Sequence, residues 1–183
     1  MAYFYCDFRD EHKQSRRNIL LSVLSQLSAQ SNPYCDILSH LYSAHDDGTR
    51  KPSDGDLTLC LKEMLSLSDQ HPVHLIVDAI DECSNNSGIP TRREEVLDVV
   101  KSLIDCHFQN LHACITSRLE IDIQDAFKSL TPLHISLHDQ TGQKKDIIDY
   151  INSVVYSDTK MRRWREEDKK LVVETLSQRA DGM

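Results

Sequence analysis

The feature that most constrains the fold is an apolar segment that ends in carboxylates. Residues 73–79, VHLIVDA, are mostly apolar and predict a buried β-strand. Asp78 lies at the end of this strand, and Asp81 and Glu82 follow it closely. An unpaired carboxylate in the middle of a buried strand would cost several kcal/mol. We therefore expect the three side chains beyond the carboxyl end of a strand, where ligands bind in open α/β sheets.

The order of the remaining segments predicts an α/β fold with a parallel sheet. Apolar segments at 2–8, 112–117 and 133–137 predict three more strands. Helices are predicted at 15–30, from Asn32 onward, after a cap at Asp54, after a Thr91–Glu94 capping box and near 121–129. Strands that alternate with helices predict a three-layer structure, with helices on both faces of the sheet. The core is expected to cover about 1–138, and helices at 141–157 and 166–180 to form an extension over about 139–183.

Composition excludes several classes of protein. The formal net charge of −8 argues against general binding to nucleic acid or to acidic membranes. No apolar segment is long enough to span a membrane, and the first residues lack the layout of a signal peptide, so we expect a cytoplasmic protein. Six cysteines without a C-x-x-C pair predict reduced thiols that are buried or half-buried, and the spacing of the nine histidines predicts no metal site.

The acidic residues suggest phosphate chemistry that depends on a metal. Asp78 is placed to bind Mg²⁺, and Asp81 and Glu82, about one turn later, to orient or deprotonate a water. The next predicted strand ends in Thr116, Ser117 and Arg118, and a cation there could contact a terminal phosphate. The alternatives are structural. Asp78 could cap a turn, the other two carboxylates could form a solvated loop, and the arginine could make a surface ion pair.

The sequence resembles the NACHT domain of signal-transducing P-loop NTPases, most closely the nephrocystin 3-like N-terminal type. The resemblance rests on AYFYCDFRD, HLIVDAIDEC, ACITSR and LHDQTGQKKDIIDYI. It implies a sheet of order 5-1-4-3-2, ATP or GTP with Mg²⁺, and nucleotide-gated assembly into a homo-oligomer alongside other domains of a parent protein. On this match Asp78 corresponds to the Mg²⁺ ligand, Asp81 and Glu82 to the residues that serve hydrolysis, and Ser117 and Arg118 to the nucleotide-sensing strand.

The phosphate-binding loop of that family is not found in this sequence. None of the five glycines belongs to a G-x-x-x-x-G-K-[ST] motif. We therefore expect the chain to be part of a larger or truncated NACHT protein, and to be an NTPase only if an upstream phosphate loop is supplied. The strand that is missing would lie between 112–117 and 133–137. One alternative is a non-enzymatic interaction module that retains relic carboxylates. A weaker alternative is a metal-dependent phosphohydrolase that uses Asp78 and Asp81 directly.

Overall fold

The computed structural model describes residues 1–67, 71–86, 88–130, 133, 135 and 141–179, with the side chains of 141–144 left out. The chain divides into two compact units, Met1–Pro132 and Leu133–Met183. The described residues form a β-sheet and five α-helices in the first unit and two α-helices in the second. The fold is therefore α/β, as the order of segments predicted.

Among the described residues, the sheet of the first unit has three parallel strands. They are β1 (Ala2–Tyr5), β2 (Val73–Asp78) and β3 (Leu111–Ile115), in the spatial order β1-β2-β3. The register aligns Phe4 with Val77 and Val77 with Ile115, so all three strands end at the same edge. The parallel direction and the positions of these three strands confirm the prediction.

The described residues form seven α-helices, which lie where the sequence predicted helices. They are α1 (Arg16–Ser28), α2 (Asn32–Ala44), α3 (Asp54–Leu65), α4 (Arg92–Ile104), α5 (Ile121–Phe127), α6 (Thr141–Ser157) and α7 (Glu166–Arg179). The capping box of α4 forms as predicted, with Thr91 and Glu94 each accepting a backbone N–H of the other. The cap of α3 differs, because Ser53 accepts the N–H of Asp56 and Asp54 is the first helical residue.

The helices of the first unit build their apolar core on one face of the sheet. Buried side chains alternate along β1 and β2, with Phe4, Leu75 and Val77 inside and Tyr3 and His74 exposed. Helices α1, α3 and α4 supply most of the remaining core: Ile19, Leu20, Val23, Leu24, Leu57, Leu61, Met64, Val96, Val100 and Leu103. The expectation that the strands are buried on both faces is therefore wrong for the described residues, since the second face is open to solvent.

The predicted fourth strand at 133–137 lies mostly outside the described residues. Leu133 and Ile135 are described, are not in a strand and are exposed. Within the part of the chain that the structure describes, β3 is an edge strand. The predicted order, in which the neighbour of β3 is missing, is thus compatible with the observed sheet.

The second unit contains a pair of packed helices. Ile151 and Val155 of α6 are buried, and Lys169 of α7 is only 8% exposed. The Lys169 ammonium contacts Glu166 Oε1 at 2.9 Å and lies 5.2 Å from the centroid of the Tyr156 ring. Among the described residues, no helix combines the length and the apolar character needed to cross a membrane.

Candidate functional site

The three predicted carboxylates lie on a sharp turn at the end of β2, which we call the acidic turn (residues 78–82). Asp78 is the last residue of β2, and Ile80–Glu82 form a single 3₁₀ turn. Between them Ala79 adopts the left-handed conformation, with φ 55° and ψ 49°. This conformation costs a non-glycine residue about 1–2 kcal/mol. The chain reverses there, and the side chain of Ile80 enters the core, where it is fully buried.

Asp78 is held by the residue that follows the neighbouring strand. Its Oδ1 accepts a hydrogen bond from the Thr116 hydroxyl at 2.5 Å. The Thr116 Oγ1 in turn accepts the Ala79 N–H at 2.9 Å, and the backbone carbonyl of Thr116 accepts the Ile80 N–H at 3.1 Å. Thr116 therefore joins the exit of β3 to the start of the acidic turn. Ser117, which sequence reasoning placed in the site, is exposed next to it.

Asp81 and Arg118 come together, as the predicted sheet edge required. The Asp81 carboxylate accepts the Arg118 backbone N–H at 3.0 Å and lies 3.4 Å from Arg118 Nε. The Asp81 side chain is 8% exposed, whereas the Arg118 side chain is 81% exposed. The backbone of Arg118 is thus held by a hydrogen bond, while its side chain extends into solvent at the carboxyl end of the strands.

Glu82 contacts a different segment of the chain from the other two carboxylates. Its Oε2 accepts the Phe8 N–H at 3.2 Å, which ties the acidic turn to the segment after β1. The part of the chain that the structure describes contains no convergent group of three histidine, cysteine or acidic side chains that could hold a metal ion. These described residues therefore do not supply the ligand set of a metal centre built by protein alone.

Two buried residues that sequence reasoning missed hold the backbone around the acidic turn. Arg93 of α4 donates from Nη2 to the Asp81 carbonyl at 2.6 Å and from Nε to the Cys83 carbonyl at 3.1 Å. Its Nη1 pairs with Asp122 of α5 at 3.1 Å. Gln14 accepts the N–H of the residue after Cys83 and donates to the Asp7 carbonyl, both at 3.1 Å.

Two buried thiols lie next to the acidic turn. The Cys6 N–H donates to the Asp78 carbonyl at 3.0 Å, and Cys83 directly follows Glu82. A hydrogen bond to Cys83 and burial raise the pKa of the Cys6 thiol, while the same hydrogen bond, helped by Arg93, lowers the pKa of Cys83. All six cysteines are free thiols, and the prediction that they are buried or half-buried is wrong for half of them. Cys6, Cys60 and Cys83 are buried, whereas the other three are exposed.

Comparison with known proteins identifies a family. The family model described as nephrocystin 3, N-terminal, matches residues 1–118. This match covers all three strands, the acidic turn and Arg118. No curated protein and no solved structure matches the chain.

Proposed function

Since the chain belongs to the nephrocystin 3 N-terminal family, we propose that it forms part of a NACHT-type nucleotide-dependent switch. In this proposal Asp78 binds Mg²⁺, Asp81 and Glu82 serve hydrolysis, and Arg118 with Ser117 senses the nucleotide. A phosphate-binding loop from elsewhere in a larger assembly completes the site, because this sequence contains no G-x-x-x-x-G-K-[ST] motif. The nucleotide is ATP or GTP.

One observation carries this proposal: the ends of β2 and β3 bring two functional pairs to one edge of the sheet. The Asp78 carboxylate accepts a hydrogen bond from the Thr116 hydroxyl at 2.5 Å, and the Asp81 carboxylate accepts one from the Arg118 backbone N–H at 3.0 Å. Ligands of open parallel sheets bind beyond this edge. If these charges belonged to a solvated loop without a common role, we would not expect side chains after β2 to bond to residues after β3.

The oxygen ligands at this edge suit Mg²⁺ bound chiefly through a nucleotide. Mg²⁺ typically uses one or two carboxylates, and water and phosphate oxygens fill its other positions. Asp78, beside the Thr116 hydroxyl, supplies one such carboxylate, and the bound ion would neutralise phosphate charge. Asp81 is already engaged by Arg118. This engagement argues against a phosphohydrolase in which Asp78 and Asp81 bind a metal together.

A second candidate function is an interaction module without catalysis. The open face of the sheet favours it, because Tyr3 and Tyr5 are 45% and 53% exposed there and β3 is an edge strand among the described residues. Exposed aromatic side chains and an unpaired strand edge are common features of surfaces that bind other chains. Self-association through this face is compatible with either candidate.

The first prediction separates the two candidates. We expect the 183-residue chain to bind Mg²⁺–ATP and Mg²⁺–GTP more weakly than micromolar, because the backbone cradle and lysine of a phosphate loop are missing. A chimera with the phosphate-loop βα unit of another family member ahead of Met1 should bind one of them at least about tenfold more tightly. Calorimetry with and without Mg²⁺ measures both. The donor unit must bind nucleotide in its own protein. If the chimera made with such a unit gains no affinity, the result would favour the interaction module.

In the same chimera, substitution of Asp78 should affect Mg²⁺-dependent binding, and substitution of Glu82 should affect hydrolysis. Asp78→Asn keeps a hydrogen-bond acceptor for Thr116 but removes the charge, so the dependence of binding on Mg²⁺ should disappear. Glu82→Gln should preserve binding and slow hydrolysis by about 10²-fold, the usual contribution of a general base. Equal losses of affinity from both substitutions would contradict the assigned roles.

Arg118 should distinguish a triphosphate from a diphosphate. Arg118→Ala keeps the backbone N–H that bonds to Asp81, so the acidic turn should remain in place. We expect the affinity of the chimera for the triphosphate to fall about tenfold, as for one lost charge-assisted hydrogen bond, and the affinity for the diphosphate to change little. Arg165→Ala, at an arginine that is 79% exposed on the second unit, is the matched control. An equal loss for both nucleotides would leave Arg118 with a purely structural role.

A further inference from the structure

Two histidines far apart in the sequence form a stacked pair on the open face of the sheet. His74 of β2 and His112 of β3 are aligned in the parallel register. Their ring centroids lie 5.1 Å apart with an interplanar angle of 21°, and both side chains are exposed. Spacing along the sequence could not reveal this pair, since the two residues approach only when the strands align.

The geometry suits chelation of a metal ion by two imidazoles. Facing Cα atoms in neighbouring strands are held about 4.8 Å apart, so only the side chains need to move. A metal ion bound about 2.1 Å from each imidazole nitrogen needs those two nitrogens about 3 Å apart. Chelation therefore requires a rotation of the two exposed rings about their side-chain bonds and no change in the backbone.

We propose that His74 and His112 form a two-histidine surface site for a divalent transition metal ion of the Zn²⁺, Ni²⁺ or Cu²⁺ class. Imidazole nitrogen is a preferred ligand of these metals and a poor one for Mg²⁺, which takes oxygen. The site is therefore chemically distinct from the acidic turn, and it does not depend on nucleotide binding. A bound ion would also link β2 to the edge strand β3.

Two protein ligands leave the remaining coordination positions to water. No third histidine, cysteine or carboxylate converges on the pair among the described residues. Cys114 lies on the same face of the sheet, two residues beyond His112, and is exposed. The site should therefore bind an ion reversibly, more tightly than one histidine does and more weakly than a closed structural zinc site.

The test is a titration with Ni²⁺ that isolates the imidazoles from the thiols. The parent protein is the full chain with its three exposed cysteines replaced by serine, Cys35→Ser, Cys106→Ser and Cys114→Ser. In this protein His74→Ala and His112→Ala should each weaken Ni²⁺ binding at least about tenfold, because either change leaves a single imidazole. The double variant should be no more than about twofold weaker than either single variant, since the chelate is already lost.

His40→Ala, at an exposed histidine on α2, is the matched control and should leave the affinity unchanged. The melting temperature without metal should be the same in all variants, and Ni²⁺ should raise it only where both His74 and His112 are present. If Ni²⁺ affinity is unchanged by His74→Ala, or falls equally with His40→Ala, the proposal is overturned and the pair is only a packing contact between strands.

Discussion

Replacing Arg93 with alanine should lower the free energy of unfolding by about 3 kcal/mol. The Arg93 side chain is 9% exposed and pairs with Asp122 at 3.1 Å. It also supplies the hydrogen bonds to the carbonyls of Asp81 and Cys83. Without it both carbonyls lose a charged donor, and a cavity opens between α4, α5 and the acidic turn. Urea denaturation followed by circular dichroism measures the change.

Arg92 offers a matched control for this prediction one residue away on the same helix. It pairs with Glu11 at 2.9 Å, but the Glu11 side chain is 80% exposed. Such surface pairs contribute about 0–1 kcal/mol, so Arg92→Ala should cost little. Arg93→Lys should recover only part of the loss, because one ammonium cannot reproduce the planar fork of contacts. Equal losses from Arg92→Ala and Arg93→Ala would contradict the role assigned to Arg93.

The helix periodicity held a signal for Arg93 that the sequence interpretation did not use. Val96, Leu97 and Val100 follow Arg93 at three, four and seven residues, so Arg93 lies on the buried face of α4. Arg92 has Glu95 at the third position instead, and it is only partly buried. Gln14 offered no comparable signal, because its partners are backbone groups of two loops. One of these lies 70 residues away.

The meeting of the strand ends was predictable, whereas the open face of the sheet was not. Parallel strands must place their carboxyl ends at one edge, so Asp78 and Arg118 could be assigned to one region from their positions alone. The expectation that β2 is buried on both faces was wrong because of Ile76. This residue lies between His74 and Asp78 on the open face and makes the segment look continuously apolar. In the structure Ile76 is only half-buried, and the segment alternates. The sequence places Thr116 at a strand end. The hydrogen bonds of its hydroxyl with Asp78 and Ala79 depend on the left-handed conformation of Ala79, which no sequence pattern predicted.

Replacing Ile80 with alanine should also lower the free energy of unfolding by about 3 kcal/mol, within the range for a buried isoleucine. Ile80 is fully buried, and it is the apolar anchor of the acidic turn. The left-handed backbone at Ala79 is unfavourable by itself, so burial of the next side chain must offset its cost. Without that anchor the turn should open locally, and the Ile80 amide, which bonds to the Thr116 carbonyl, should exchange its hydrogen faster.

Ile121→Ala is the matched control, since Ile121 is 78% exposed at the start of α5. Alanine favours helices, so the free energy of unfolding should change by less than about 0.5 kcal/mol. Denaturation in urea and hydrogen exchange at the Ile80 amide test both variants. If Ile80→Ala costs less than about 1 kcal/mol and leaves that exchange unchanged, hydrogen bonds from Thr116 and Arg93 hold the turn without help from the core. The position of Asp81 would then depend on polar contacts alone, and Arg93→Ala should displace Asp81 more than Ile80→Ala does.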